Sequence, residues 1–66
     1  GCVIFRDVEI EEGAEVKNSV IMQGVKIGKG SKIENVILDK DVEIGSERTL
    51  IGAHTSPLII SKGEKI

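Results

Sequence analysis

The sequence predicts an all-β fold of parallel coils stacked along one axis, and three observations carry that prediction. A phrase of 17 residues recurs: VEIEEGAEVKNSVIMQG at 8–24 returns as VKIGKGSKIENVILDKD at 25–41 and begins again as VEIGSERTLIGA at 42–53. Aliphatic residues fall at Ile4, Ile10, Val16, Ile21, Ile27, Ile33, Leu38, Ile44 and Leu50, with spacings of 6, 6 and 5 that then repeat. No apolar pattern at i, i+3, i+4 and i+7 persists, and Val and Ile dominate the apolar set, which argues against helices. A repeat this short, with Gly at its corners, marks rungs that bury a core only by stacking.

Each 17-residue turn divides into three sides, two of six residues and one of five. Two residues before each aliphatic lies a second inward candidate: Cys2, Val8, Ala14, Ser19, Val25, Ser31, Val36, Val42 and Arg48. All but Arg48 are small or β-branched. Period-2 alternation puts both members of a pair on one face of a short strand. Gly13, Gly28, Gly30 and Gly45 fall at corners, where a positive φ is expected and costs least without a Cβ.

The outward positions supply an independent test of register. Equivalent residues on adjacent rungs lie about 4.8 Å apart, so like charges there would repel. The columns Glu9–Lys26–Glu43, Glu15–Lys32–Thr49 and Lys17–Glu34–Ile51 avoid such repulsion, with opposite signs wherever two charges adjoin. Exposed pairs contribute only about 0–1 kcal/mol, so the alternation speaks to register rather than stability. Asn18 and Asn35 are expected to stack as a side-chain amide ladder at one corner.

Residues 1–66 form one domain of a little over three coils, regular over 2–52. The pattern weakens beyond, where Arg48 fills a slot expected to be small and Thr55 one expected to be aliphatic. Residues 53–58 read as a loop or distorted rung, since Pro57 has no amide for a central ladder. Residues 59–66 read as a terminal partial rung, with ISKGEKI at 60–66 repeating the wording of 27–33 shifted by one residue. The chain opens on Gly1 rather than Met, and neither end looks capped, so a piece of a longer chain is expected.

Composition removes several classes of function. Cys2 is the only cysteine, which excludes a disulfide; it is expected to be a small buried apolar residue, in keeping with a reducing, cytoplasmic setting. Nine Lys and Arg stand against eleven Asp and Glu without a run, and Phe5 is the sole aromatic, so no nucleic-acid partner is expected. No apolar segment approaches the roughly 20 residues that span a bilayer, so no membrane partner is expected either. A single histidine, His54, cannot build a metal cluster, and it reads as a surface or loop residue. Glu11–Glu12 and Asp39–Asp41 read as solvated turn acids, and Gly28-Lys29-Gly30 as a corner rather than a phosphate loop. No catalytic, cofactor-binding or metal-ligating residue is therefore assigned.

One wall of the prism carries the sharper signal. Two sides present mainly charged residues or Gly outward, whereas the third presents Val3 and Phe5, then Val20 and Met22, then Ile37 and Asp39. An aligned apolar stripe on a small chain marks a docking surface. Val3, Phe5, Val20, Met22 and Ile37 are assigned to an interface on that ground.

The pairs Ile27-Gly28-Lys29-Gly30-Ser31-Lys32 and Ile10-Glu11-Glu12-Gly13-Ala14-Glu15 resemble the hexapeptide repeat of left-handed parallel β-helices, which form triangular prisms. The left hand is implied by that resemblance, against the general right-handed rule for parallel crossovers. The wording NSVIMQGVKIGKGSKIENVILDKDVEIG, with Asn18–Met22 echoed at Asn35–Leu38, resembles the C-terminal β-helix of bacterial ADP-glucose pyrophosphorylases (glucose-1-phosphate adenylyltransferases) of glycogen synthesis over about residues 2–52. The tail at Gly52–Leu58 is similar to the regulatory-type subunit of that family. The resemblance implies a structural, assembly and regulatory domain, without an active site or cofactor of its own. The partners implied are the parent's N-terminal catalytic domain, which joins ATP to glucose 1-phosphate, and further subunits. Two alternatives stand beside it. One is a piece of a trimeric hexapeptide acyltransferase with His54 as general base near an interprotomer cleft; the other is an isolated β-helix module.

Overall fold

The structure, a computed structural model, describes residues 1–66 and contains no helix. Ten short strands follow one another: β1 Val3–Ile4, β2 Glu9–Ile10, β3 Glu15–Lys17, β4 Val20–Ile21, β5 Lys26–Ile27, β6 Lys32–Glu34, β7 Val36–Leu38, β8 Glu43–Ile44, β9 Thr49–Ile51 and β10 Leu58–Ile60. They pair in parallel as three sheets, β1-β4-β7-β10, β2-β5-β8 and β3-β6-β9, one on each side of the prism. Val3 pairs with Val20 and Val20 with Ile37, Ile10 with Ile27 and Ile27 with Ile44, Val16 with Ile33 and Ile33 with Leu50. Every one of these steps is the 17-residue period. The chain is the expected parallel β-helix of the left-handed hexapeptide type, with three complete coils and a partial fourth.

Strands of two or three residues have no stability alone. What holds them is the column they enclose: Ile21, Val25, Ile27, Ile33, Val36, Leu38, Val42, Ile44 and Ile60 form the buried core. Each such side chain contributes roughly 1.5–3 kcal/mol when removed from water. Two serines share that interior and are fully partnered. Ser19 Oγ donates to the Lys17 carbonyl at 2.8 Å and accepts the Val36 amide at 3.2 Å.

The first coil departs from the expected burial. Ile4 and Ile10 stack in register with Ile21 and Ile27, yet remain 49% and 41% exposed, because no rung lies on their other side. Cys2 is exposed for the same reason, not buried as its residue type suggests; its Sγ lies 3.4 Å from the Val16 carbonyl.

The corners also correct the sequence analysis. Gly13 and Gly30 do take positive φ, at 80° and 74°. Gly28 and Gly45 do not. Gly28 is needed for close approach: a Cβ there would lie 2.6 Å from the Gly45 carbonyl carbon one coil on. The other left-handed corners are held by Gly24, Gly63 and five residues with side chains, Asp7, Asn18, Asn35, Asp41 and Glu47. Asp and Asn tolerate this region because their short polar groups bond locally. The expected Asn18–Asn35 ladder is not formed: Asn35 Nδ2 donates to the Gly52 carbonyl, and Asn18 Oδ1 accepts from the N-terminal amine.

The fourth coil shifts register by five residues. Leu58 pairs with Val36, Ile59 with Ile37 and Ile60 with Leu38, an offset of 22 rather than 17. The surplus, Ala53–Pro57, leaves the prism as a loop closed by mutual main-chain bonds between Ala53 and Ser56. The loop thus ends one residue before the expected 53–58, since Leu58 already lies in a strand. The segment ISKGEKI stacks on 38–44, and its likeness to 27–33 misleads about which side it occupies: Lys65 bridges to Glu43.

Candidate assembly surface

The sheet β1-β4-β7-β10 positions the apolar wall. Alternation turns Ile4, Ile21, Leu38 and Ile60 inward, and leaves Val3, Val20, Ile37 and Ile59 in one outward column with every neighbour in main-chain register. Val3 and Phe5 are 56% and 51% exposed, while Val20, Met22 and Ile37 are half-buried by their neighbours above and below. All five residues assigned from sequence therefore lie on one face. The structure adds a sixth, Ile59, 67% exposed at the end of the column. Ile59 was missed because the five-residue loop hides its place in the repeat; counting back from Ile66 through the inward positions Ile66 and Ile60 would have found it.

Beside that column runs a second of mixed character. The amides of Phe5, Met22 and Asp39 donate to Ile21, Leu38 and Ile60 carbonyls, which places these three side chains in line. Asp39 Oδ1 accepts the Lys40 amide at 2.7 Å, so its carboxylate is turned toward the corner. The wall is apolar over four rungs along one column and grades to polar along the other.

The remaining two walls are charged. Their columns pair Glu9 with Lys26, Lys26 with Glu43, Glu15 with Lys32 and Lys17 with Glu34. The single close ion pair is Lys65 with Glu43 at 3.8 Å, both exposed. Alternating sign prevents repulsion without forming tight pairs, which suits solvated faces.

His54 sits exposed in the loop, where it borders a shallow groove with Gly1, Val3, Asn18, Ser19, Val20, Asn35 and Pro57. No carboxylate lines that groove to orient an imidazole, so the arrangement lacks the partner a general base ordinarily has. Nowhere do three His, Cys, Asp or Glu side chains gather to hold a metal. No helix is long and apolar enough to cross a membrane.

A family model described as GlmU-like, C-terminal hexapeptide matches residues 1–57. No curated protein and no solved structure matches the chain.

Proposed function

The chain belongs to the GlmU-like, C-terminal hexapeptide family, and from that membership we propose that it serves as the assembly and regulatory β-helix of a nucleotidyltransferase subunit. The observation that supports this reading is the apolar column Val3–Val20–Ile37–Ile59 on a prism whose other walls are charged. An aligned apolar stripe of that kind marks a docking surface, and assembly is work that a rigid prism suits. The finer assignment is to an ADP-glucose pyrophosphorylase of glycogen synthesis, acting in the cytoplasm, on the strength of the wording at Asn18–Met22 and Asn35–Leu38. In that role the wall packs against the catalytic domain of the parent or a neighbouring subunit, and helps couple effector binding to activity.

The test is direct. Val20→Lys combined with Ile37→Glu is expected to abolish association in analytical ultracentrifugation while leaving the circular dichroism unchanged. Unaltered association would remove the wall from the proposal. For the finer assignment, the chain joined to its parent's catalytic domain is expected to release pyrophosphate from ATP and glucose 1-phosphate and from no other sugar phosphate tried.

The acyltransferase reading draws on the family description and on His54 beside the groove at Asn18 and Asn35. It predicts acetyl transfer from acetyl-CoA that disappears in His54→Ala. The missing carboxylate partner makes it the weaker of the two.

A further inference from the structure

The apolar wall differs between its two sides. Val3, Val20, Ile37 and Ile59 form its central column, in main-chain register throughout. Two residues further along each strand, about 6.6 Å away, it carries Phe5 and Met22, its longest apolar side chains, and then Asp39 on the third rung. On the other side of the column the wall is hollow. A groove of about 300 Å³ lies there, lined by Val3 and Val20 of the column, Asn18 and Asn35 of the corner, and His54 and Pro57 of the loop.

Polar groups are placed to match. Asp39 Oδ1 accepts the Lys40 amide, which leaves Oδ2 without a donor. Asn35 stands on the same rung at the opposite side. Its amide gives one N–H to the Gly52 carbonyl at 3.1 Å and has a second to give. A face with large side chains on one side of a column and a hollow on the other, at the same rungs, is complementary to itself under a two-fold axis.

Granting the assembly role given to this wall above, we infer that its occupant is a second copy of the chain, set parallel to the first by a two-fold axis that runs over the central column. Each rung then meets its own equivalent. Val3, Val20, Ile37 and Ile59 pack on themselves across the axis, Phe5 and Met22 of one copy enter the groove of the other, and Asp39 comes opposite Asn35. The reversed arrangement, with the axis across the strands, still joins Val3 to Ile59 and Val20 to Ile37. It also sets Met22 against Asp39 and Phe5 against Ser61, which buries a carboxylate on a thioether with no hydrogen bond in return. Further coils at either end would lengthen the parallel contact without covering it.

The test is cross-linking of the whole chain carrying Cys2→Ser, which removes the native thiol, with one new cysteine at a time. Val3→Cys and Ile59→Cys mark the two ends of the column, and both positions are more than half exposed, so neither supports the core. A bismaleimide spanning the roughly 10 Å between packed sheets reaches equivalent positions in the parallel pair, but not positions three rungs, about 14 Å, further along. Each variant alone is expected to give covalent dimers at least about tenfold faster than Ile51→Cys, a similarly exposed isoleucine on a charged wall. Asn35→Asp, which sets two carboxylates against each other, is expected to weaken association about tenfold or more, and adding Asp39→Asn to restore it. Dimers that form only when the Val3→Cys and Ile59→Cys chains are mixed, or a failed rescue, would overturn the parallel arrangement and leave the wall an assembly surface. A chain that stays monomeric in sedimentation, or cross-links no faster at Val3→Cys than at Ile51→Cys, would overturn the second copy as occupant. Association undiminished by Val20→Lys with Ile37→Glu would remove the wall itself and this pairing with it.

Discussion

The buried hydroxyl of Ser31 accepts the amide of Arg48 from the next coil at 3.1 Å and, in the same geometry, donates to the Gly45 carbonyl at 2.7 Å. Two main-chain groups that the corner removes from the strand ladder are thereby satisfied by one side chain. A small residue at this slot is required by space, and a hydroxyl by hydrogen bonding. Ser31→Ala keeps the first and loses the second. It is expected to destabilise the chain by about 1–3 kcal/mol, the cost of leaving buried polar groups unpaired, read as a lower urea midpoint with unchanged slope. A loss below a few tenths would show that water replaces the hydroxyl.

Glu47 holds a corner at φ 55° whose equivalents one and two coils earlier are Gly30 and Gly13. A side chain in the left-handed region costs about 1–2 kcal/mol, partly offset by the greater freedom glycine brings to the unfolded chain. Glu47→Gly is therefore expected to stabilise by about 0.5–1 kcal/mol. The thermal midpoint should rise by roughly 4–8 °C for each kcal/mol gained in a domain this small.

Gly28 sits at a corner without positive φ, and its need for glycine is steric. The added Cβ of Gly28→Ala would meet the Gly45 carbonyl carbon at 2.6 Å and the Ser46 nitrogen at 2.7 Å, both main-chain atoms of the next coil. Neither moves without opening the stack. Destabilisation of about 1–3 kcal/mol is expected, as for other overpacked sites. Gly63→Ala, which meets nothing within 4 Å, isolates the backbone contribution at φ 76°.

Removing Ala53–Pro57 and joining Gly52 to Leu58 is expected to leave the fold intact. Gly52 donates to Glu34 and Leu58 to Asn35, so the two ends of the loop already occupy consecutive places in the ladder. Shortening a loop by five residues changes closure entropy by less than about 1 kcal/mol. The shortened chain should unfold within that margin of the parent. It also lacks His54, so any acetyl transfer it retains would exclude the loop from catalysis.

How much of this was legible in the sequence depends on what each feature answers to. The coil period and the inward positions were plain, because stacking forces Ile10, Ile27 and Ile44 into one column and tolerates little else. The five assigned wall residues were legible by the same alternation, and the structure places them on one face. Burial of the first coil was not legible. Ile4 and Cys2 carry the inward pattern, but burial is a property of what lies on both sides of a rung, which residue type does not report. The corners misled for another reason: Asn35 and Glu47 adopt positive φ under the demand of the turn, while Gly28 answers to distance across coils. The offset at Leu58 was hidden because a repeat that tolerates loops at corners loses its count there without losing its wording.

Ile51 and Ile59 make a natural comparison for the assembly wall. They are 59% and 67% exposed, so solvent accessibility in the isolated chain does not distinguish them. Their surroundings do: Ile51 follows Lys17 and Glu34 on a charged wall, whereas Ile59 ends the column Val3–Val20–Ile37. Covering an isoleucine on association contributes roughly 1.5–3 kcal/mol, so replacing it by a lysine at the contact should weaken association at least about tenfold. Ile59→Lys is expected to do so in sedimentation equilibrium, and Ile51→Lys to leave the association constant unchanged. Equal effects from both would mean that general apolarity, rather than the aligned wall, drives self-association, and the interface would have to be sought elsewhere on the prism.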